Sequence, residues 1–241
     1  MSHEIQIPVE SFPLVIISTA GLILYYYGTL SAMKLGQVSI YYPIVRSSPI
    51  AIVIFSWLFL DVKYTNWTIV GIIIIFIGAI MLQKSRLSFL GNNKALCLAI
   101  MAMIGSACYS ISDAIAVQKI APSVLLFYCY ILVSLILFFM VVFNNGSTKN
   151  TLIYLLHQWK PNQHKILSAG LISYSSYYLI LVAFGLGADA AAVSAVRQAS
   201  IPISVLLAAY FLNENETFRR LGWASLIALG IIILARNDLS T

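Results

Sequence analysis

Long runs of hydrophobic residues alternate with short polar connections along most of the chain. A helix needs about 20 mainly apolar residues to cross a bilayer, so these runs predict transmembrane helices. The runs, numbered α1 to α8, cover residues 12–35, 41–60, 67–82, 95–117, 124–143, 166–186, 190–212 and 218–235. The pattern therefore predicts an all-α polytopic membrane protein with eight readable spans.

One connection between the spans is long. Residues 144–165, between α5 and α6, contain an apolar and aromatic stretch with a basic end at residues 151–160. Such a stretch can form a short helix that lies in the membrane interface. An ordinary connecting loop explains it equally well, and the sequence leaves both interpretations open.

Composition supports a membrane protein and excludes several other classes. Of the 241 residues, 61% are hydrophobic and 9% are charged. Soluble domains have about 45–50% hydrophobic and about 25% charged residues. The net charge is +6, but the Lys and Arg residues are scattered between the apolar runs. That distribution is typical of helix flanks and not of a patch that binds nucleic acid. A soluble enzyme, a nucleic-acid-binding domain and a disordered chain are therefore excluded.

The sequence shows no recognisable site for a metal, a cofactor or ATP. The three Cys residues lie in apolar runs, the three His residues lie outside them, and there is no phosphate-binding loop. Metal chemistry and His-based catalysis both need clusters that are missing from the spans. The N-terminus has no Lys or Arg and no cleavage site, so the first run is predicted to be a membrane helix. We expect no enzyme activity and no cofactor.

Spans α1–α3 resemble spans α6–α8, which indicates an internal duplication. Five features recur in the same order at separations of 151 to 153 residues. They are Tyr25-Tyr26 with Tyr177-Tyr178, Gly36 with Gly187, Arg46 with Arg197, Pro49 with Pro202, and Leu60 with Leu212. We predict an incomplete three-helix copy at residues 12–82 and a five-helix copy at residues 95–235, in which α4 and α5 have no upstream counterpart.

The second copy carries a family resemblance. Its features are Gly187 before a helix with Arg197 and Pro202, then the turn Leu212-Asn-Glu214, and a last helix with Gly222 and Gly230. This layout resembles the EamA-like family of the drug/metabolite transporter superfamily. In the first copy, Leu60-Asp61 stands at the place of this turn, where the resemblance leads us to expect a carboxylate like that of Glu214.

The resemblance implies a ten-helix fold of two inverted five-helix repeats around a central cavity. Here the first two helices are lacking, and α1, α2, α4, α6 and α7 are expected to line the cavity. A truncated product, a misplaced start and a natural eight-helix variant all remain open. Members are secondary carriers of amino acids, nucleotide-linked compounds and other metabolites.

Two arginines inside spans are the first candidates for a substrate site. A charge within the membrane is costly and usually functional, although an arginine near a helix end can extend to the headgroups. Arg46 and Arg197 occupy matching places in the two copies, which favours binding. The guanidinium fork suits a carboxylate or phosphate, and α1, α2, α6 and α7 contain no Asp or Glu. The pattern predicts a small organic anion or zwitterion, such as an amino acid.

Mid-helix tyrosines and one serine complete the predicted substrate site. They are Tyr25, Tyr26, Tyr177, Tyr178 and Ser194. A buried tyrosine hydroxyl needs a hydrogen-bond partner, so these tyrosines are predicted to flank the substrate. Hydrogen bonding between helices is the alternative.

Asp113, near the end of α4, shares a helix face with Ser106, Tyr109 and Ser110. Such a carboxylate can pair with an arginine in the cavity or take up a coupling proton. A helix-end aspartate at the membrane interface is the alternative. We predict that Asp113 is the proton-coupling residue.

The sequence thus predicts a secondary transporter, driven by an ion gradient or by exchange, in the bacterial inner membrane. A membrane enzyme acting on lipid head groups lacks the acidic or His clusters that it would need. A non-transporting membrane component, or a truncated remnant of a carrier, remains the alternative. The expected partners are the lipid bilayer and a small-molecule substrate but no nucleic acid, and a homodimer is left open.

The orientation in the membrane gives the first testable prediction. The family resemblance implies cytoplasmic termini. The connections that would then lie on the non-cytoplasmic side contain nine Lys and Arg residues, whereas the cytoplasmic side contains three, and this distribution favours the reverse orientation. We retain cytoplasmic termini. A cysteine introduced at Asn145 should then react with an impermeant reagent only from the non-cytoplasmic side. Reaction only from the cytoplasm would contradict this orientation.

Overall fold

The computed structural model describes residues 8–35, 44–83, 93–200, 203 and 217–238. These residues are almost entirely helical and include no strand, which confirms the predicted all-α class. Several residues used in the sequence analysis lie outside this description. They are Gly36, Pro202, Leu212 and Glu214.

The eight helices formed by the described residues follow the predicted order. They are α1 (Phe12–Leu35), α2 (Ser48–Leu60), α3 (Asn66–Gln83), α4 (Asn93–Ala116), α5 (Pro122–Asn145), α6 (Thr148–Gly185), α7 (Ala190–Val196) and α8 (Thr217–Asp238). A 3-10 turn, Val9–Ser11, precedes α1, and a helical turn at residues 44–46 precedes α2.

Four described helices are long and apolar enough to cross a membrane. They are Val9–Leu35, Asn93–Ala116, Pro122–Asn144 and Thr148–Gly185. Three more helices have shorter apolar stretches, Ser48–Leu60, Asn66–Gly78 and Leu221–Ile233. The chain is therefore an integral membrane protein. The total of eight spans and the inverted repeat stay predictions.

The start of α6 differs from both interpretations of the long connection. α5 ends at Asn145, Gly146 adopts a left-handed φ of 68°, and α6 runs without a break from Thr148 through Pro161 to Gly185. Residues 151–160 are thus neither a separate interfacial helix nor a loop. With about 1.5 Å per residue, a helix of this length is roughly 57 Å long. It exceeds the ~30 Å hydrocarbon core, so α6 is longer than a single upright span requires.

The predicted span α7 is interrupted at one of the candidate residues. The α-helix ends at Val196, and a 3-10 turn, Arg197–Ala199, follows it. A change from α to 3-10 geometry inside a span often marks a functional or strained site. Here the right-handed helical backbone continues through Arg197, but its hydrogen-bond pattern changes.

Helices α1 and α4 approach each other closely through glycines. A Cβ atom on Gly21 would lie 2.8 Å from the carbonyl oxygen of Gly105, and one on Gly28 would lie 2.7 Å from that of Leu98. Small residues allow membrane helices to pack at this distance. The contact joins the first helix of the predicted first copy to the first helix of the second.

Helices α3 and α8, the last helices of the two predicted copies, pack in the same way. A Cβ atom on Gly230 would lie 2.8 Å from the carbonyl oxygen of Gly71, and one on Gly78 would lie 2.7 Å from Ile227 Cγ1. Glycine contacts therefore bring the helices of both pairs, α1 with α4 and α3 with α8, close together.

The glycine contact between α1 and α4 predicts the effect of added volume. Gly21→Ala should destabilise the protein by about 1–3 kcal/mol, because the new methyl group forces the helices apart. Gly170→Ala is the matched control, since a Cβ atom there would meet nothing within 4 Å. Alanine is also the better helix former, so this variant should be at least as stable as the parent. Thermal unfolding in detergent measures both; equal melting temperatures would show that the contact is loose.

Candidate functional site

A cavity lies between α1, α2, α4 and α7, where the two predicted copies meet. Its lining includes Tyr25, Arg46, Ser48, Ser106, Ser194, Arg197 and Gln198. The empty space is about 230 Å³, including the opening. Its lining residues come from helices that are far apart in sequence, so the fold itself creates the cavity.

Four of the predicted substrate residues share this cavity. Arg46, Arg197, Tyr25 and Ser194 all line it, with one arginine from each predicted copy. Among the described lining residues there is no Asp or Glu. The cavity therefore has positive charge, and the role of these residues in substrate binding stays a prediction.

Tyr109 of α4 holds Arg197 in place. Arg197 Nη1 donates a hydrogen bond to the Tyr109 hydroxyl at 3.3 Å, and Ser106 Oγ donates to the same hydroxyl at 3.4 Å. The guanidinium group has five N–H donors, so a single neutral acceptor does not satisfy it. Among the described residues, Lys119 Nζ and Glu10 Oε2 form an ion pair at 3.4 Å, and this pair does not involve Arg197. Arg197 is thus positioned without being neutralised.

Asp113 lies in a second polar layer behind Tyr109. The residue is 1% exposed, and Tyr177 donates its hydroxyl to Oδ2. Oδ1 has no hydrogen-bond partner among the residues that the structure describes. Asp113 is therefore buried inside the protein, its carboxyl group contacts a tyrosine of α6, and its role in proton coupling stays a prediction.

The two tyrosines connect the cavity to the buried carboxyl group. The rings of Tyr109 and Tyr177 are in edge contact, with centroids 5.8 Å apart, and Tyr25 makes a similar contact with Tyr109 at 5.8 Å. A continuous line of side chains therefore runs from Arg197 through both tyrosines to Asp113.

The remaining predicted tyrosines do not line the cavity. Tyr26 lies behind Tyr25, with ring centroids 5.4 Å apart, and hydrogen-bonds with Tyr130 of α5. Tyr178 is 38% exposed on the outer side of α6. Consecutive helix residues point about 100° apart, so Tyr25 and Tyr26 pack against different neighbours inside the protein, whereas Tyr178 is turned away from the buried Tyr177. Tyr178 thus lies away from the described cavity, and the prediction that all four tyrosines flank the substrate stays untested.

Tyr109 and Gln198 belong to the site, although the sequence analysis did not place them there. Tyr109 was recognised on the polar face of α4, and its spacing from Ser106 and Asp113 is the signal that points to it. Gln198 follows Arg197 directly and carries no such signal. The direction in which each face points depends on packing between helices, which the sequence pattern does not contain.

Two hydrogen bonds join α7 to the beginning of α2. Ser48 Oγ and Ser194 Oγ lie 3.3 Å apart, and Gln198 Nε2 donates to the backbone carbonyl of Arg46 at 3.3 Å. These bonds hold the segments that carry Arg46 and Arg197 against each other. The two arginines therefore belong to one structural unit.

Asp189 fixes the other end of α7. Its Oδ1 accepts hydrogen bonds from the backbone N–H groups of Ala191 and Ala192 at 2.8 and 3.0 Å, as an N-cap residue does. Tyr64, in the turn between α2 and α3, donates to Asp189 Oδ2 at 3.5 Å. Burial raises the pKa of Tyr64 to about 12, so its hydroxyl stays protonated and can donate at neutral pH.

The family of the chain follows from its sequence. The sequence model of the EamA-like transporter family matches residues 2–83 and 93–236, most of the chain. The chain belongs to this family. The EamA-like protein is accordingly a membrane transporter of the drug/metabolite transporter superfamily, a family of transporters and not of enzymes.

Solved structures share the fold of the EamA-like protein. One crystal structure superimposes with a TM-score of 0.71 at 16% sequence identity, and the match covers 98% of this chain and 80% of that one. At this identity the likeness shows the fold alone. A comparison with curated proteins finds no match.

The bond between Asp113 and Tyr177 predicts a specific loss of stability. Tyr177→Phe should cost about 1–3 kcal/mol, because it leaves a buried carboxyl group without its donor. Tyr178→Phe, next to it but on the outer side of α6, should change stability by less than about 0.5 kcal/mol. In an Asp113→Leu background Tyr177→Phe should also cost little, since the partner is already gone. Chemical denaturation in micelles measures these differences; equal losses for the two Phe variants would contradict the arrangement.

Proposed function

We propose that the EamA-like protein is a secondary transporter of a small organic anion or zwitterion, such as an amino acid, in the bacterial inner membrane. The observation that carries this proposal is the shared cavity of Arg46 and Arg197, one from each predicted copy. The described lining provides no carboxylate to neutralise them.

The charge of the cavity selects the sign of its ligand. Arginine stays ionised when it is partly buried, and its planar fork matches a carboxylate or phosphate. A charged side chain inside a membrane protein is costly, so an anionic group that reaches the guanidinium of Arg197 lowers the free energy when it enters. A cation would meet repulsion from both arginines.

The contacts between the copies support transport by alternating access. The cavity lies where α1 and α2 meet α4 and α7, and hydrogen bonds cross that boundary at Ser48–Ser194 and at Gln198–Arg46. Each such bond contributes only about 0.5–1.5 kcal/mol net. Contacts of this strength can break and re-form as the two copies move, which alternating access requires.

One end of the molecule has further polar contacts between helices. Gln118 Nε2 donates to the backbone carbonyl of Phe184 at 2.9 Å, and Tyr64 donates to Asp189. These contacts join the turns after α2, α4 and α6. We infer that they close this end of the transport path in the conformation described.

Asp113 is the proposed site of the coupling proton. It is buried between the cavity and the turns that join α4 to α5 and α6 to α7, and Tyr177 and Tyr109 connect it to Arg197. A proton bound or released there changes the hydrogen bond of Tyr177, and the contact between the rings carries that change toward the substrate site.

Arginine variants test the substrate site. Arg197→Lys keeps the charge but loses the fork, so it should weaken binding by about 1–3 kcal/mol. Arg46→Ala and Arg197→Ala should abolish uptake of labelled amino acids into vesicles. Lys34→Ala is the control, because Lys34 is exposed at the end of α1 and its removal should leave uptake unchanged.

The arginine experiment also separates the alternatives. Unchanged uptake and binding in both Ala variants, correctly inserted, would reject the anion site. If the parent protein itself transports none of the amino acids or organic anions offered, a non-transporting membrane component becomes the better explanation.

A second experiment tests the coupling proton. Asp113→Asn should abolish accumulation driven by a pH gradient but leave exchange of internal for external substrate largely intact. Asp61→Asn is the control: Asp61 is exposed with a φ of 50°, a conformation that asparagine also adopts readily. Unchanged accumulation in Asp113→Asn would remove this residue from the coupling mechanism.

A further inference from the structure

Gln198 is a buried residue with one free hydrogen-bonding atom. It is 3% exposed, and its Nε2 donates to the backbone carbonyls of Arg46 at 3.3 Å and of Ser194 at 3.4 Å. Its Oε1 is buried and has no partner among the described residues. The two carbonyl acceptors fix the amide orientation, because the reverse orientation would place Oε1 against two other oxygens. The side chain therefore offers a buried acceptor without a donor.

Gln198 also lies between two cavities. One is the cavity that contains the two arginines, and the other lies between α2, α3 and the segment Ala195–Gln198. Arg46 and Gln198 line both. The second cavity is otherwise lined mainly by apolar side chains, which include those of Ile50, Ile72, Ile75 and Phe76.

We propose, on the basis of the proposed function, that Gln198 accepts a hydrogen bond from the ammonium group of the substrate. The substrate is then an amino acid, and its aliphatic side chain is directed toward the second cavity, which has room for about one water molecule, about 10 Å³, in the conformation described and widens to admit it. The arginines bind the carboxylate, so three different groups of one molecule meet three different surfaces of the protein.

This arrangement discriminates between a zwitterion and a simple anion. Oε1 already lacks a partner among the described residues, so a ligand without a donor gains nothing from it, whereas a charged donor forms one of the stronger hydrogen bonds. A carboxylic acid without an amino group would leave Oε1 unpaired. A site that must satisfy a buried polar atom rejects analogues that lack the matching group.

Isothermal titration of the purified full chain with three probes of similar shape tests the proposal. They are leucine, 4-methylpentanoate, which lacks the amino group, and 3-methylbutylamine, which lacks the carboxylate. Leucine should bind at least about tenfold more tightly than 4-methylpentanoate, and the amine should not bind measurably.

The variant Gln198→Leu then assigns the difference to this residue. It should lower the affinity for leucine to that for 4-methylpentanoate and leave the affinity for 4-methylpentanoate unchanged. A purely structural role would weaken both ligands by the same factor, and that result would overturn the proposal. Equal binding of both ligands by the parent protein would also overturn it, while the anion site itself would stand.

Variants of the second cavity test the placement of the side chain. Ile50→Phe fills that cavity and should weaken leucine binding severalfold more than alanine binding. Ile54→Phe, one helical turn further along α2 and 50% exposed, should affect neither ligand. An equal effect of Ile50→Phe on leucine and alanine would contradict the placement. If the parent protein binds none of the probes, or if Arg197→Ala leaves binding intact, the proposed function itself fails.

Discussion

A guanidinium group inside a membrane protein must be held by hydrogen-bond acceptors, and the structure around Arg197 depends on this requirement. The Tyr109 hydroxyl accepts from Arg197 Nη1 at 3.3 Å and is itself supported by Ser106. Tyrosine carries no charge at neutral pH, so the arginine is oriented but keeps its positive charge. That combination of fixed geometry and uncompensated charge makes the cavity suitable for an anionic group.

The position of Tyr109 depends in turn on the glycine contact between α1 and α4. A Cβ atom on Gly21 would lie 2.8 Å from the backbone nitrogen of Tyr109 and 3.1 Å from its Cβ atom. A close helix contact and the residue that orients Arg197 therefore lie in the same part of the molecule. Separation of α1 from α4 would move Tyr109, and with it both Arg197 and the tyrosine that binds Asp113.

The sequence predicted the parts of this structure that follow from local composition. The hydrophobic run at residues 12–35 has the bounds of α1 in the structure, and α4 and α5 differ from their predicted bounds by at most two residues. For the first half of α6 the sequence left a short interfacial helix and a loop equally open, and it did not indicate that the helix continues through Pro161 into the span. The positive charge of the cavity was predictable from the matching arginines. The contributions of Tyr109 and Gln198 were not, because they depend on how the faces of α4 and α7 are turned by packing.

The measurement that tests the positive cavity most directly is the reaction rate of a cysteine placed in it. Tyr25→Cys, in a chain whose native cysteines Cys97, Cys108 and Cys129 are replaced, puts a thiol in the lining, where Tyr25 is only partly buried. Anionic and cationic methanethiosulfonates of similar size then report the local potential. The account predicts that the anionic reagent reacts faster and that Arg197→Gln reduces this preference. A faster cationic reagent, or a preference that Arg197→Gln leaves unchanged, would contradict it.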